Sequence, residues 1–444
     1  MSRRQPSPAR LVAYKALRDV SADGAFANLA LAARRRGISG REAALATELV
    51  SGITRAGGTL DAIIEAAAGR GLGTLQPAVV DVLRLGAYQL LRLRVPTPVA
   101  VNTSVDLAAA QIGERTTGVV NAVLRRIAVL SWEGWLDRLS AGLGTRDELA
   151  LRTCHPRWVV DAFADGLPDG QLEPALQADN VPPTPTLAVR PQLLGRDELV
   201  TATGGVATPY SPWGVIAPGD PGAVAAVSDG RAGVQDEGSQ LVVLAAVRAA
   251  EQYQQMPAWL DMCAGPGGKA ALLRGVCPGF LVAAERAPHR AQLVAGALAG
   301  FDQRGHQVVV ADGARPAWAS RQFGLVLVDA PCSGLGALRR RPDARWRHQL
   351  EDLDDLVLLQ TSLLRAALDA AAGVVAYITC SPHQRETADV VTSLASQCGA
   401  TILEAPAYLP EVPDCAAVDA RFVQLWPHRH GTDAMFLALL QPAG

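Results

Sequence analysis

Five short apolar runs, separated by helical stretches, constrain the fold of the second half of this chain most strongly. Most of them end in an acidic or small residue, and they are Trp259–Met262, Leu281–Glu285, Val308–Asp312, Leu325–Asp329 and Val374–Thr379. Strands that alternate with helices are typical of a parallel sheet built from βαβ units. Ligands of such sheets bind at the carboxyl ends of the strands. We therefore expect an α/β domain over residues 236–444, with its chemistry in the segments after the strands.

The N-terminal part of the chain has helical periodicity instead. One apolar set recurs at steps of three and four residues, as on the buried face of a helix: Val79, Val82, Leu83, Ala87 and Leu90. Residues 1–130 contain 17 Lys and Arg against 9 Asp and Glu, a net charge of +8, whereas the whole chain has −2. This asymmetry is typical of a basic module that binds a polyanion, with a solvated charged surface as the alternative. We expect an all-α bundle over residues 1–135.

Residues 136–235 lie between these two regions and are predicted to form a linker and a small α+β RNA-binding region. Pro182-Pro183-Thr184-Pro185 marks a break in the chain, and Leu187–Arg190 is predicted to be a short strand. The remainder of this stretch is rich in Gly and Pro. The chain is therefore expected to be a multidomain protein.

The composition also predicts where the protein resides. No apolar run is long enough to span a bilayer, and Met1–Pro6 lacks the apolar segment of a signal peptide. The seven cysteines are odd in number and widely scattered, so we expect reduced thiols rather than disulfides or a metal site. A soluble, cytoplasmic, metal-free protein is the expectation.

A glycine-rich segment follows the first of the five runs and reads Cys263-Ala264-Gly265-Pro266-Gly267-Gly268-Lys269. Glycines allow a ligand to approach the backbone closely, and the start of a helix offers free N–H groups. The segment is not a P-loop, because Ala270 stands where that motif requires Ser or Thr. A purely structural turn between strand and helix is the alternative.

Two acidic residues favour a cofactor-binding loop. Glu285 ends the second run, about 20 residues after the glycines, where an acid binds ribose hydroxyls in dinucleotide-type folds. Asp312 follows the third run and is a candidate for the adenine amino group. Because no further phosphate-binding signal is present, these residues favour S-adenosylmethionine over NAD.

Two cysteines follow the fourth and fifth runs. They are Cys332, in Asp329-Ala330-Pro331-Cys332-Ser333-Gly334, and Cys380, in Thr379-Cys380-Ser381-Pro382. Either one alone is more often a small buried apolar residue. A pair at adjacent strand ends suits C5 methylation of cytosine, since one thiolate adds to C6 and a second thiol assists the loss of the C5 proton. Asp329 is a candidate to favour this addition by donating or sharing a proton at N3 of the cytosine.

These motifs resemble the bacterial small-subunit ribosomal RNA cytosine-C5 methyltransferases, the RsmB family, also called Sun or Fmu. The resemblance implies a Rossmann-like class I methyltransferase domain with Cys380 as the nucleophile and Cys332 as the product-release cysteine. It implies a catalytic set of Cys380, Cys332, Asp329 and Lys269. The implied S-adenosylmethionine site comprises Cys263, Ala264, Gly265, Pro266, Gly267, Gly268, Lys269, Glu285, Asp312 and Asp329. The partner of Lys269 cannot be read from the sequence, and Asp329 is one candidate.

Other segments extend the resemblance along the chain. Gln235–Gln240 resembles the segment that leads into the family's catalytic domain, and Asn28, Asn102 and Asn121–Arg126 resemble the RNA-binding antitermination factor NusB. Arg339–Trp346 resembles the family's arginine-rich loop, which we expect to contact phosphates and stack on a base, with a solvated loop as the alternative. Gly431–Phe436 departs from the usual Thr-Asp-Gly-Phe-Phe, which puts any role of Asp433 in doubt.

The expected partner is RNA, with 16S ribosomal RNA favoured and the chain predicted to be monomeric without an obligate protein partner. Transfer RNA or another ribosomal site remains open as substrate. A DNA enzyme is disfavoured, since those enzymes use the Pro-Cys cysteine as nucleophile and do not need Cys380. A non-catalytic RNA-binding protein is the alternative from another class.

Overall fold

A computed structural model describes residues 6–253, 255–315 and 317–443. The chain forms two compact units: Met1–Asp161 with Arg340–His348, and Ala162–Arg339 with Gln349–Gly444. Residues 1–5, which carry part of the signal-peptide prediction, lie outside the described residues. Within the described ranges, no helix combines the length and apolarity needed to cross a membrane. The domain boundaries predicted at residues 135 and 235 stay predictions.

The first unit is helical, as predicted. Its helices, the last of which continues into the second unit, are α1 (Pro8–Asp23), α2 (Ala27–Arg34), α3 (Gly40–Arg55), α4 (Gly57–Ala68), α5 (Pro77–Leu91), α6 (Thr97–Gln111), α7 (Thr117–Ile127), α8 (Trp132–Ser140), α9 (Thr145–Thr153) and α10 (Arg157–Asp165). The apolar stripe of α5 packs into one core, where Val79, Val82, Leu83 and Ala87 are buried and Leu90 is half-buried. The helical periodicity of this stripe is therefore explained by its burial.

The segment Arg340–His348 belongs to the first unit although it is distant in sequence. Arg345 is fully buried and donates from Nη1 to the carbonyl of Cys154 at 2.8 Å. Trp346 donates from Nε1 to the carbonyl of Thr54 at 2.7 Å, and its ring packs on Gly57 and Gly58 at the start of α4. The expectation that this loop contacts phosphates is wrong for Arg345, because its side chain is fully buried, whereas stacking of Trp346 on a base stays a prediction.

A small antiparallel sheet opens the second unit. The strands of this sheet and the helices around it are α11 (Leu172–Ala178), β1 (Thr186–Val189), α12 (Arg196–Thr203), β2 (Val206–Ala207), β3 (Gly214–Ile216), α13 (Ala225–Ser228) and β4 (Ala232–Val234). The strand order is β2-β3-β1-β4, and α12 covers a core around Leu187, Leu199 and Val215. The predicted α+β region is confirmed, with its first strand one residue earlier than expected.

The large sheet forms the centre of the second unit. Its elements are α14 (Glu237–Ala250), β5 (Trp259–Asp261), α15 (Gly268–Val276), β6 (Leu281–Glu285), α16 (Pro288–Leu298), β7 (His306–Val310), β8 (Phe323–Asp329), α17 (Leu353–Ala370), β9 (Ala371–Thr379), α18 (Ala388–Cys398), β10 (Thr401–Leu403), β11 (Val423–Gln424), α19 (Pro427–His430) and β12 (Phe436–Gln441). The order is β10-β12-β9-β8-β5-β6-β7, with β11 on β12. The five predicted runs correspond to β5 to β9, and the α/β prediction is confirmed.

The sheet is mixed rather than wholly parallel. Strands β5 to β9 pair in parallel, whereas β12 pairs antiparallel with β9, β10 and β11. The expectation of a purely parallel sheet is thus corrected at this edge. A buried strand such as Phe436–Leu440 is apolar throughout, and that pattern is the same for either strand direction.

Candidate active site

The parallel register of β8 and β9 brings the two predicted cysteines together. Asp329, the last residue of β8, lies opposite Ile378, and the backbone N–H of Ala330 donates to the carbonyl of Ile378 at 2.9 Å. The chain leaves both strands at the same level of the sheet. The Sγ atoms of Cys332 and Cys380 are consequently only 3.3 Å apart, and both side chains are half-buried.

Backbone hydrogen bonds at Gly336 connect the loop after β8 to two neighbouring segments. Its N–H donates to the carbonyl of Cys380 at 2.8 Å, and its carbonyl accepts from the N–H of Ala434 at 2.8 Å. A side chain at this position would overlap the carbonyl oxygen of Ala434. Glycine is therefore required at position 336 because two backbones approach each other closely.

Lys269 and Asp329 form an ion pair beside the thiols. Lys269 lies in the first turn of α15, and its Nζ is 2.7 Å from Oδ2 of Asp329, with only 12% and 29% of the two side chains exposed. Burial acts to lower the pKa of Lys269, but the charge and hydrogen bond of Asp329, with the charge of Cys380, raise it overall. The candidate partner is confirmed, and the site keeps a fixed positive charge next to Cys380.

The two thiols differ in their electrostatic surroundings. Hydrogen bonding to Cys380 is the main cause that raises the pKa of Cys332 well above its usual value, followed by burial and by the charges of Cys380 and Glu386. Because Lys269 stands near Cys380, a thiolate there and the ammonium stabilise each other. Cys332 is therefore held towards its neutral form.

Asp261, at the end of β5, is a buried carboxyl group that sequence reasoning did not assign to the site. It is fully buried, and neither oxygen accepts a hydrogen bond of normal geometry from the described residues, although the Cys263 N–H helps to stabilise its charge. Burial, followed by the charge of Asp329, raises its pKa to about 8. A buried carboxyl with so few donors among the described residues fits a ligand that brings its own cationic donor, as the amino group of S-adenosylmethionine does.

The predicted glycine-rich loop joins β5 to α15. Residues Cys263, Ala264, Gly265 and Pro266 form the loop, Gly267 precedes the helix, and Gly268 and Lys269 begin it. Gly267 has φ +113°, and a side chain there would overlap Ala297 of α16. The glycine is needed for this backbone conformation and for the close packing of loop against helix.

The predicted ribose-binding acid lies directly beneath that loop. Glu285 is buried and accepts from the N–H of Gly265 at 3.2 Å and from the N–H of Ala287 at 2.9 Å. Arg290 donates to the carbonyl of Gly265 at 2.6 Å. The carboxylate of Glu285 is thereby oriented by backbone groups, and its two oxygens retain lone pairs for further donors.

Asp312 follows β7 at the neighbouring strand end. Its Oδ1 accepts from the N–H of Ala314 at 3.1 Å, and the residue is half-buried. With Glu285 and Asp261, it completes a row of acids at the carboxyl ends of β7, β6 and β5, the three strands that lie side by side in this order at one edge of the sheet.

Asp433, whose role the sequence left in doubt, takes part in a buried charge cluster. Arg339 donates to Asp433 Oδ1 and to Asp236 Oδ2, both at 2.8 Å, and Asp236 also accepts from the N–H of Asp433. All three residues are less than 10% exposed. The sequence grouped Arg339 with an RNA-binding loop, and no local signal indicates two acids 103 residues before it and 94 residues after it.

Comparisons with known proteins agree with this architecture. Residues 249–441 match the family described as 16S rRNA methyltransferase RsmB/F, and residues 7–129 match the NusB family. Putative methyltransferase Rv1407 of Mycobacterium tuberculosis (strain ATCC 25618 / H37Rv) is 46% identical, with 99% of this chain and 98% of that protein covered. Ribosomal RNA small subunit methyltransferase B of Pseudomonas syringae pv. tomato is 30% identical, with 97% and 96% covered.

Solved structures share the fold. The crystal structure of PH0851 has a TM-score of 0.81 at 18% identity, covering 98% of this chain and 99% of that one. The crystal structure of NSun6 from Pyrococcus horikoshii with SFG has a TM-score of 0.55 at 14% identity, covering 65% and 98%. At such identities the likeness concerns the fold alone.

The spacing of the thiols predicts that they can be crosslinked by oxidation. Mild treatment with diamide should join Cys332 to Cys380, because the sulfur atoms need to approach by only about 1.2 Å from their 3.3 Å separation. Mass spectrometry of the digested protein would detect the linked peptides and the loss of two hydrogen atoms. Cys398→Ser is the matched control, since Cys398 contacts Arg365 rather than a cysteine, and it should crosslink like the parent protein. Failure to recover the linked pair would contradict the geometry.

The pKa of Asp261 predicts a pH-dependent stability difference. Between about pH 4 and about pH 8 the folded protein holds a proton on this carboxyl that the unfolded chain has released. The contribution of Asp261 to the free energy of unfolding therefore falls as pH rises through this window. Asp261→Asn removes the titration, so its stability relative to the parent should increase steadily over the same range. Urea unfolding at several pH values measures this difference, and a pH-independent difference would refute the assignment.

Proposed function

The chain belongs to the 16S rRNA methyltransferase RsmB/F family, and from this premise we propose that it transfers a methyl group from S-adenosylmethionine to C5 of a cytidine in 16S ribosomal RNA. The observation that carries the proposal is the pair of thiols 3.3 Å apart at the ends of neighbouring strands. Cytosine C5 is a poor nucleophile until a thiolate has added to C6, and release of the product requires loss of the C5 proton. Two adjacent cysteines suit these two tasks.

Cys380 is the proposed nucleophile. Its sulfur forms a bond to C6 of the cytosine, which gives C5 enough electron density to accept a methyl group. The ammonium of Lys269 lies near Cys380 and stabilises its negative charge. We propose that Asp329 shares a proton with N3 of the cytosine. Because Asp329 lies 2.7 Å from the ammonium of Lys269, this proton comes from the ion pair rather than from the carboxyl alone.

Cys332 is proposed to remove the C5 proton after methyl transfer. Its hydrogen bond to Cys380 is the main cause that keeps its pKa high in the free protein. Once the sulfur of Cys380 is bonded to C6, it no longer holds this hydrogen bond, and Cys332 gives its own proton to solvent before it acts at C5. The resulting thiolate accepts the proton from C5, and the C6–S bond breaks to return Cys380 as a thiolate.

The cofactor is proposed to bind at the carboxyl ends of β5 to β8. When bound, S-adenosylmethionine supplies an electrophilic methyl group. The loop Cys263–Lys269, with Glu285, Asp312 and Asp329, would hold it, as the family resemblance implies. Asp261 joins this set because its buried carboxyl, which accepts no hydrogen bond of normal geometry from the described residues, suits the cofactor's amino group.

The first unit is proposed to bind the RNA. It contains the match to the NusB family, and residues 1–130 have a net charge of +8. The target cytosine must leave any base stack to reach the thiols, at a cost of a few kcal/mol, so unpaired RNA is the easier substrate. We also propose that the protein is a monomer and that it is located in the cytoplasm.

Substitution of each cysteine tests the assigned roles. Cys380→Ala should abolish methyl transfer, at least a thousandfold below the parent, because no covalent addition can begin. Cys332→Ala should instead accumulate a protein–RNA adduct that survives a denaturing gel, since the C5 proton is not removed. Cys398→Ala, outside the site, is the control and should behave as the parent. If Cys380→Ala formed the adduct and Cys332→Ala lost methyl transfer altogether, the two roles would be reversed.

The choice of RNA is tested separately. Purified protein and S-adenosylmethionine should methylate unmodified 16S ribosomal RNA at one cytidine, detected by bisulfite sequencing, and should leave unmodified transfer RNA unchanged. Modification of transfer RNA alone would retain the chemistry and change the substrate. If neither RNA is methylated and the protein fails to bind the cofactor in calorimetry, the non-catalytic alternative holds.

A further inference from the structure

Glu386 is a buried carboxylate that the proposed reaction does not use. It lies in the short 3-10 turn Gln384–Glu386, after β9, and its side chain is fully buried. A buried carboxylate is costly unless several donors satisfy it. The positions of those donors therefore show what the group does in the fold.

Four donors from three segments converge on this carboxylate. Its Oε1 accepts from the N–H of Ser333 at 2.8 Å and from Nε2 of Gln360 at 3.1 Å. Its Oε2 accepts from the hydroxyl of Ser333 at 2.5 Å and from the hydroxyl of Ser381 at 2.7 Å. Ser333 directly follows Cys332, and Ser381 directly follows Cys380. One side chain thus bridges the two loops that carry the thiols.

The carboxylate is itself held in place. Gln360, from α17, also donates to the carbonyl of Pro331 at 2.8 Å, so the same amide supports both Glu386 and the loop that precedes Cys332. The hydroxyl of Tyr377, from β9, donates to the backbone carbonyl of Glu386 at 2.9 Å. The bridge therefore connects α17 and β9 to both cysteine loops, and these contacts restrict the positions that the carboxylate can adopt.

We propose that Glu386 is a positioning residue that holds Cys332 and Cys380 at reacting distance through Ser333 and Ser381. None of its hydrogen bonds among the described residues goes to a thiol, so it controls their spacing through the two serines that follow them. The inference deepens the proposed function, on which it rests for its catalytic meaning. The spacing of the thiols is the property that it controls, and a displacement of about 1 Å at a reacting group can reduce a rate about a hundredfold.

Two substitutions at position 386 test whether the hydrogen bonds of the bridge are what matters. Glu386→Gln should preserve it, because the amide oxygen can accept from the Ser333 N–H and Gln360 while the amide N–H groups donate to both serine hydroxyls. Glu386→Ala removes every one of these bonds. Glu411→Ala is the matched control, since Glu411 is a half-buried acid of the same unit that pairs with Arg248 away from the thiols.

The first measurement is the rate at which diamide joins Cys332 to Cys380, with diamide taking up the two protons and two electrons that the thiols lose. It needs neither RNA nor cofactor. We expect the rate to fall more than about tenfold in Glu386→Ala and to stay within about threefold of the parent in Glu386→Gln and Glu411→Ala. Crosslinking of Glu386→Ala at the parental rate would overturn the proposal.

The second measurement is methyl transfer to 16S ribosomal RNA by the same variants. Glu386→Ala should lose kcat about a hundredfold with KM for RNA little changed, and Glu386→Gln should restore most of it. If crosslinking responds as expected but no variant, including the parent, methylates RNA, the positioning role stands and the proposed function fails. Parental kcat in Glu386→Ala would instead show that the bridge is dispensable.

If Glu386→Ala does not fold, a milder variant tests the positioning role of Glu386. Ser333→Ala combined with Ser381→Ala leaves the backbone N–H of Ser333 and the amide of Gln360 to satisfy the carboxylate. Crosslinking slowed more than about tenfold in this double variant supports the proposal, and crosslinking at the parental rate overturns it.

Discussion

The in-register parallel pairing of β8 with β9 is the constraint on which the site depends. From Leu325 opposite Val374 to Asp329 opposite Ile378, the two strands advance together and end at the same level of the sheet. The residues that follow them then have to share one small volume. Two thiols, an ion pair and the carboxylate of Glu386 meet there because the sheet delivers both loops to the same edge. A shift of register by one residue would turn alternate side chains to the opposite face and separate these groups.

Buried charges organise the surroundings of the thiols. Lys269 with Asp329, Arg339 with its two acids, and Glu386 with its four donors are all withdrawn from water to a large extent. Such groups are poor sources of stability, because desolvation offsets most of their mutual attraction. They do impose geometry, since each tolerates few arrangements of its partners. The concentration of these groups around one edge of the sheet suggests that the fold maintains a defined site there at some cost in stability.

The arginine-rich segment illustrates how composition can mislead. Clustered arginines beside a tryptophan are typical of RNA-binding loops, yet Arg345 is fully buried and Trp346 lies against α4. Arginine and tryptophan both combine a large apolar area with donors that suit backbone carbonyls, so they serve equally well inside a protein. The sequence contains no signal that separates these two uses, because the carbonyls that accept the bonds belong to residues more than 190 positions away.

The sequence by itself determined the alternation of strands and helices, the helical N-terminal part, the cofactor-type loop and the candidacy of Cys332 and Cys380, because each of these is a pattern among residues close together in the chain. Only the tertiary structure decided the rest. The 3.3 Å separation of the thiols, the antiparallel direction of β12, the inclusion of Arg340–His348 in the first unit and the bridge at Glu386 all join residues distant in sequence. Such contacts depend on how complete elements pack, and no local pattern encodes a partner that many other buried residues must first bring within reach.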